Sequence, residues 1–348
     1  MSKKPYFKID NRHVGEEYPP LIIPEIGINH NGSLKKALAM IDAAKKSHAE
    51  IVKFQTHILE KEMIKTEIKP GNSKNKIWDI IKKAELSFNE EKKTQNHCKK
   101  KKIIYMSTPF SREASDRLEE MNVPCFKIGS GECNNLPLIE HISRKKKPII
   151  LSTGMNNLQS IKATVKIINK YDCPLAILHC TSMYPTPYNK VRLGAISQLK
   201  KIFPYAVIGL SDHSLGIATS LGSVSLGASI IEKHFTLNTK WSGPDNIISI
   251  TPNILKRLIT ESKSIWESLE EDFSVLKEEK PVINFAYASV VAIKEIKKNE
   301  IFNHNNIWVK RPGNGKILSK DFKKVLGKRA KRNIPINKQI SPLDIYNY

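Results

Sequence analysis

Apolar and polar positions alternate in blocks along most of the chain. Eight short runs rich in β-branched residues recur: LIIPEIG (21–27), EIVKFQT (50–56), KIIYMST (102–108), PCFKIGS (124–130), PIILST (148–153), LAILHC (175–180), AVIGLSD (206–212) and SIIEKHF (229–235). Each is followed by a stretch with helical spacing. LKKALAMIDAAKKS is an example, with apolar residues on one face and lysines at the end where a helix dipole is negative. Strands that alternate with helices pair in parallel. Eight nearly continuous apolar strands under a cover of helices need no open edge, so the pattern predicts an α/β fold, a (β/α)8 TIM barrel over residues 1–270.

Two breaks in the pattern organise the rest. Residues 58–85, containing IKPGNSKNK, are long and polar for a strand-to-helix connection and are expected to form a loop over the barrel mouth. After the eighth helical stretch, NILKRLITESKSIWESL, the charged segment EEDFSVLKEEKP reads as a linker, assigned to 271–284. Residues 285–348 then carry short β-like runs around tight turns and are expected to fold as a small β-rich domain.

Composition narrows the function. No run of about 18 apolar residues occurs, which speaks against a membrane span. The start MSKKPYFKID lacks the apolar core of a signal peptide, so a cytoplasmic protein is expected. The five cysteines are odd in number and form no CxxC pair, which argues against a disulfide framework or a structural zinc site. The formal charge of +23 is spread over scattered lysines without the aromatic interleaving that stacks bases. Nucleic acid is therefore not an expected partner; the positive field suits the collection of a small anionic substrate.

Barrel chemistry sits at the C-terminal ends of the strands. Those ends carry Glu25, Lys53 and Gln55, Thr108, Lys127 and Ser130 with Glu132, Ser152, Ser182 and Tyr184, Asp212 with His213, and His234. Packing does not require polar residues at every strand end, so their recurrence points to a site. His213 and His234 fall on the seventh and eighth strand ends, where two imidazoles with open remaining positions suit a divalent metal; either alone could be a structural histidine. Lys53 and Lys127, with the hydroxyls of Thr108, Ser130 and Ser152, suit a phosphate or carboxylate. Snorkelling lysines and a Schiff-base lysine are the other readings of that pair.

The order of these motifs resembles a known family. EIGINHNGS (25–33), VKFQT (52–56), STPF (107–110), FKIGSGE (126–132), ILSTGM (150–155), HCTSMYPTP (179–187), GLSDHSLG (209–216), EKHFTL (232–237), SGPD (242–245) and VKRPGNG (309–315) are similar to the sialic acid synthases, in order from about residue 20 to residue 335. The resemblance implies a TIM barrel with a C-terminal antifreeze-like (SAF) domain. It also implies an enzyme that condenses phosphoenolpyruvate with an N-acetylated mannose-type sugar and releases phosphate. Carried over residue by residue, Lys53, Thr108, Lys127, Ser130 and Ser152 would hold phosphoenolpyruvate, and His213 and His234 would bind Mn2+ or Mg2+. Glu25, Gln55, Tyr184 and Asp245 would orient the sugar and metal-bound water, Glu25 counting as a catalytic residue, with Ser182 also in the substrate site. Glu132 would transfer a proton. Arg311 would reach the sugar's N-acyl group across the interface of a domain-swapped homodimer. Asn246 with ISITP, and Ser182, depart from many N-acetylneuraminate synthases. The sugar thus stands between N-acetylmannosamine and a 2,4-diacetamido-trideoxy sugar of the legionaminic type. A lysine-dependent aldolase and a carbohydrate-binding protein without catalysis are the alternative classes.

Overall fold

The computed structural model describes residues 4–71, 73–269 and 272–348. The chain divides into two compact units, Met1–Glu270 and Glu271–Tyr348; residues 270 and 271, where the expected junction falls, lie outside the described ones.

The first unit opens with a hairpin, β1 (Tyr6–Ile9) and β2 (Arg12–Gly15), which the hydrophobic pattern does not announce. Eight strands follow: β3 (Leu21–Gly27), β4 (Ile51–Thr56), β5 (Ile104–Pro109), β6 (Phe126–Ile128), β7 (Ile149–Ser152), β8 (Leu175–Cys180), β9 (Val207–Asp212) and β10 (Ile230–His234). Their spatial order is β5-β4-β3-β10-β9-β8-β7-β6, the pairings along that order are parallel, and β5 packs beside β6, so the sheet closes as a (β/α)8 barrel.

Alternation along each strand divides the core in two. Outward residues such as Val52, Phe126, Leu151 and Ile231 meet the surrounding helices. Inward residues at the N-terminal ends of the strands, among them Leu21, Ile51, Ile150 and Ile230, pack with Phe7, Ile9 and Val14 of the hairpin. The hairpin therefore plugs the barrel bottom with apolar side chains. Polar inward residues are left to the upper layer. Gly209 is demanded by this packing, because a Cβ there would collide with the Ile230 carbonyl of the neighbouring strand.

The connection after β4 differs from a plain loop. It carries a short helix, Leu59–Glu62, and a second, Ile77–Ala84, whose Ile81 and Ala84 pack with Ile28 and Leu59. Polar composition hid an amphipathic turn structure with its own small core. Likewise, a helix, Lys280–Ala286, begins inside the stretch expected as a linker and runs past its expected end at 284. The second unit pairs β11 (Ser289–Ala292) antiparallel with β12 (Ile307–Lys310) and adds isolated bridges such as Ile296 with Ile334. Val290, Phe302, Ile317 and Val325 are among the residues of its separate core.

Candidate active site at the C-terminal mouth of the barrel

Strand alternation builds the site. On β10, Ile230, Glu232 and His234 point inward, while Lys233 points out. The upper inward positions of the strands surround a cavity of about 710 Å³ lined by Glu25, Lys53, Gln55, Thr108, Lys127, Ser130, Ser152, Ser182, Tyr184, His213, His234 and Asp245. Twelve of the fourteen residues given a site role from the sequence meet here. The other two do not. Glu132 lies in the 3-10 turn Ser130–Glu132, which presents Ser130 to the cavity while the Glu132 carboxylate accepts from Asn135 at 2.7 Å; it is not part of the lining. Arg311 belongs to the second unit, exposed at the end of β12, with its guanidinium 5.8 Å from the Phe285 ring centroid. Asp212 also turns away from the mouth. Its carboxylate meets Lys233 at 3.0 Å and accepts from Thr219 and Ser220 on the outside of the barrel.

The two site lysines are not bare cations. Lys53 stands 2.7 Å from Glu25 and donates to Thr108 at 3.0 Å; Lys127 donates to Ser152 at 2.7 Å. Glu232 lies between them, 3.7 Å from Lys53 and 3.6 Å from Lys127, and accepts from Ser211 at 3.2 Å. Burial would push Glu232 up, but Lys127 and Lys53 hold it below the usual carboxylate range. Burial raises Glu25, with Lys53 opposing and Glu232 reinforcing. Burial lowers Lys127 against the pull of Glu232. Glu232 is the main residue that sequence reasoning passed over as part of the site. The signal was present, since it sits two positions before His234 and so shares its face of the strand.

At the other side of the cavity the His213 and His234 rings lie with centroids 5.4 Å apart, and Tyr184 stacks on His213 at 4.2 Å. Among the described residues no group of three or more His, Cys, Asp or Glu is placed to hold a metal. The pair nevertheless fits an ion whose other positions go to water and substrate. His234 Nδ1 is buried without a hydrogen-bond partner, 3.7 Å from Asp245. Burial drives His234 well below its usual range, with His213 and the lysines adding to the effect, so it offers a neutral lone pair. His213 Nδ1 faces the Thr181 carbonyl at 3.1 Å, which leaves Nε2 for a ligand. Burial disfavours charge on His213, but Cys180 and the Thr181 carbonyl outweigh it and raise the ring. A cation would compete with that proton.

An eight-stranded parallel barrel whose buried ionisable groups converge at the strand C-termini defines a TIM-barrel enzyme. The chain belongs to the NeuB family, whose model matches residues 40–273, and an SAF domain matches residues 287–345. It is 42% identical to N,N'-diacetyllegionaminic acid synthase of Campylobacter jejuni over 90% of this chain and 96% of that one. It is 33% identical to pseudaminic acid synthase of Helicobacter pylori, covering 94% and 98%. Among solved structures, the N-acetylneuraminic acid synthetase of Leptospira borgpetersenii, determined in complex with citrate, superposes with a TM-score of 0.75 at 33% identity, over 80% of this chain and 95% of that one. The protein is a synthase of the nonulosonic acid type, a TIM barrel with a C-terminal SAF domain. Among the described residues no helix is long and apolar enough to cross a membrane.

Proposed function

We propose that the enzyme joins phosphoenolpyruvate to 2,4-diacetamido-2,4,6-trideoxymannose, giving a legionaminic-type acid and phosphate by C–O cleavage. The observation that carries the choice of sugar is the 42% identity to a synthase of N,N'-diacetyllegionaminic acid over nine-tenths of the chain. The apolar flank of the cavity supports it, since Ile28, Met63, Ile80 and Phe110 suit acetamido and C6 methyl groups better than free hydroxyls.

Lys53 and Lys127 bind the phosphate and carboxylate of phosphoenolpyruvate, helped by the hydroxyls of Thr108, Ser130 and Ser152. Glu232, wedged between the lysines, offsets their mutual repulsion and favours their charged forms. Gln55, Tyr184, Ser182 and Asp245 orient the open-chain sugar. His213 and His234 hold Mn2+ or Mg2+, which when bound supplies Lewis-acid polarisation of the aldehyde that C3 of phosphoenolpyruvate attacks. Glu25 handles the proton of the water that adds at C2, because it lies in the cavity and burial raises its pKa, whereas Glu132 is held on Asn135 beyond the lining. Arg311 of one subunit caps the sugar's N-acyl group in the barrel of its partner within a homodimer.

Phosphate release from phosphoenolpyruvate with manganese, measured over a panel of amino sugars, tests this reading. The highest kcat/KM is expected with the diacetamido sugar. Preference for N-acetylmannosamine would overturn the sugar. Pyruvate-dependent trapping of an imine by borohydride, with activity indifferent to chelators, would replace the whole reading by the aldolase.

A further inference from the structure

Beside the cavity a chain of polar contacts runs from the segment over the mouth to the proposed base. Glu62, on the helix Leu59–Glu62, places its two carboxylate oxygens 2.9 and 3.0 Å from His57 Nδ1. His57 Nε2 lies 3.1 Å from Gln55 Oε1, and Gln55 Nε2 donates to Glu25 Oε1 at 3.0 Å. The His57 ring is buried and stacked on Phe110, with centroids 4.5 Å apart and planes 14° from parallel. Both ring nitrogens therefore face acceptors. A carboxylate cannot donate to Nδ1, and Gln55 turns its amide nitrogen to Glu25 and its oxygen to the ring. We propose that His57 is a positioning residue, tying the mouth-covering carboxylate Glu62 to Gln55 and through it fixing Glu25 for the reaction.

The arrangement explains an otherwise wasteful burial. An imidazole under a helix at the cavity edge would pack as well if it were phenylalanine. The two ring nitrogens do what packing cannot, because Gln55 is free to present either face of its amide unless one end is pinned. With Oε1 occupied by His57, Nε2 must point to Glu25, and Glu25 is turned toward the cavity and Lys53. Glu62 holds the far side of the ring, and it does so from the short helix that follows β4. Departure of that helix would remove the partner of His57, so a seated cover and an aligned carboxylate become one event.

This inference rests on the proposed role of Glu25, and two readouts keep the two apart. His57→Phe retains the stack on Phe110 and removes both ring nitrogens; Glu62→Gln alters only the covering helix. Each is expected to lower kcat by about tenfold to a hundredfold while the KM for phosphoenolpyruvate stays within about twofold and the variant remains folded at the assay temperature. The double variant should be no slower than His57→Phe alone, because both substitutions break one chain. Independently of turnover, 15N spectra of histidine-labelled enzyme, assigned by the signals lost in His57→Phe, should show a ring N–H of His57 that is protected from exchange and loses that protection in Glu62→Gln. A ring N–H that exchanges freely in the wild type, additive losses, an unchanged kcat, or a fall in kcat accounted for by unfolding at the assay temperature would each overturn the assignment. Should the wild type release no phosphate with any sugar, the proposed reaction fails while the exchange of the His57 ring N–H still decides whether the chain of contacts is formed.

Discussion

Glu232, Lys233 and His234 are three consecutive ionisable residues in a strand, and alternation sends them to different tasks. Glu232 and His234 face the cavity, whereas Lys233 enters a buried network behind it with Asp212 and the Ser214 carbonyl. Removing one member of a buried pair leaves an uncompensated charge. Asp212→Ala should therefore cost about 3–5 kcal/mol in urea denaturation, while the double change Asp212→Leu with Lys233→Met should cost much less than the sum. Equal and additive losses would show that the pair is not coupled. Inside the barrel, Lys53→Met or Lys127→Met is expected to raise the KM for phosphoenolpyruvate by more than tenfold, or roughly 1.4 kcal/mol, and that for the sugar far less. Equal movement of both constants would argue against an anion pocket.

Helices and connections place these residues and also carry their own costs. The helix Phe88–Lys101 starts on a capping box in which Ser87 and Glu90 satisfy each other's backbone donors. It turns Glu91 inward to within 3.4 Å of Arg117. Burial raises Glu91 from 4.5 to about 7, against the pull of Arg117. A folded-state value above the unfolded one gives stability that is complete below about pH 4.5 and is lost as pH rises through about 7. Between those limits the Glu91→Gln variant should gain on the wild type, by an amount on the order of 3 kcal/mol at the upper end. Denaturation midpoints measured at several pH values check it, and parallel curves for the two proteins would refute it.

The protein as an assembled catalyst makes two further demands. Incubation with a chelator should abolish phosphate release, and manganese should restore it in the wild type but not in His234→Ala, since one imidazole cannot hold the ion. Activity that survives chelation would remove the metal from the mechanism. Completion of the site by a partner is tested by unfolding and refolding together two inactive variants, Arg311→Ala and His234→Ala. Random pairing makes about half the dimers mixed, and in each of these one barrel is intact and receives an intact cap, so roughly a quarter of all sites should recover. No recovery on mixing would place each cap on its own barrel.

The eight strands were legible because a barrel strand covered on both faces must be almost wholly apolar, and the breaks in that rule at 25, 53, 127 and 234, with 213 just past the end of β9, marked the mouth. The order of those motifs also sufficed to name the family. Other features were beyond a linear reading. The hairpin β1–β2 is short and mixed in polarity, and only the open bottom of the barrel gives Phe7, Ile9 and Val14 something to bury against. Helices at 59–62 and 77–84 are too short to stand alone and form because they pack on one another and on Ile28. The sequence by itself determined which residue types are available at each strand end. Which charge meets which was decided in three dimensions. Glu232 lies 179 residues from Lys53 and 105 from Lys127, and only closure of the sheet puts the carboxylate between them. Glu132, so close in sequence to Ser130, is instead taken by Asn135, because the direction of a side chain in a tight turn is set by the local backbone and its nearest donor.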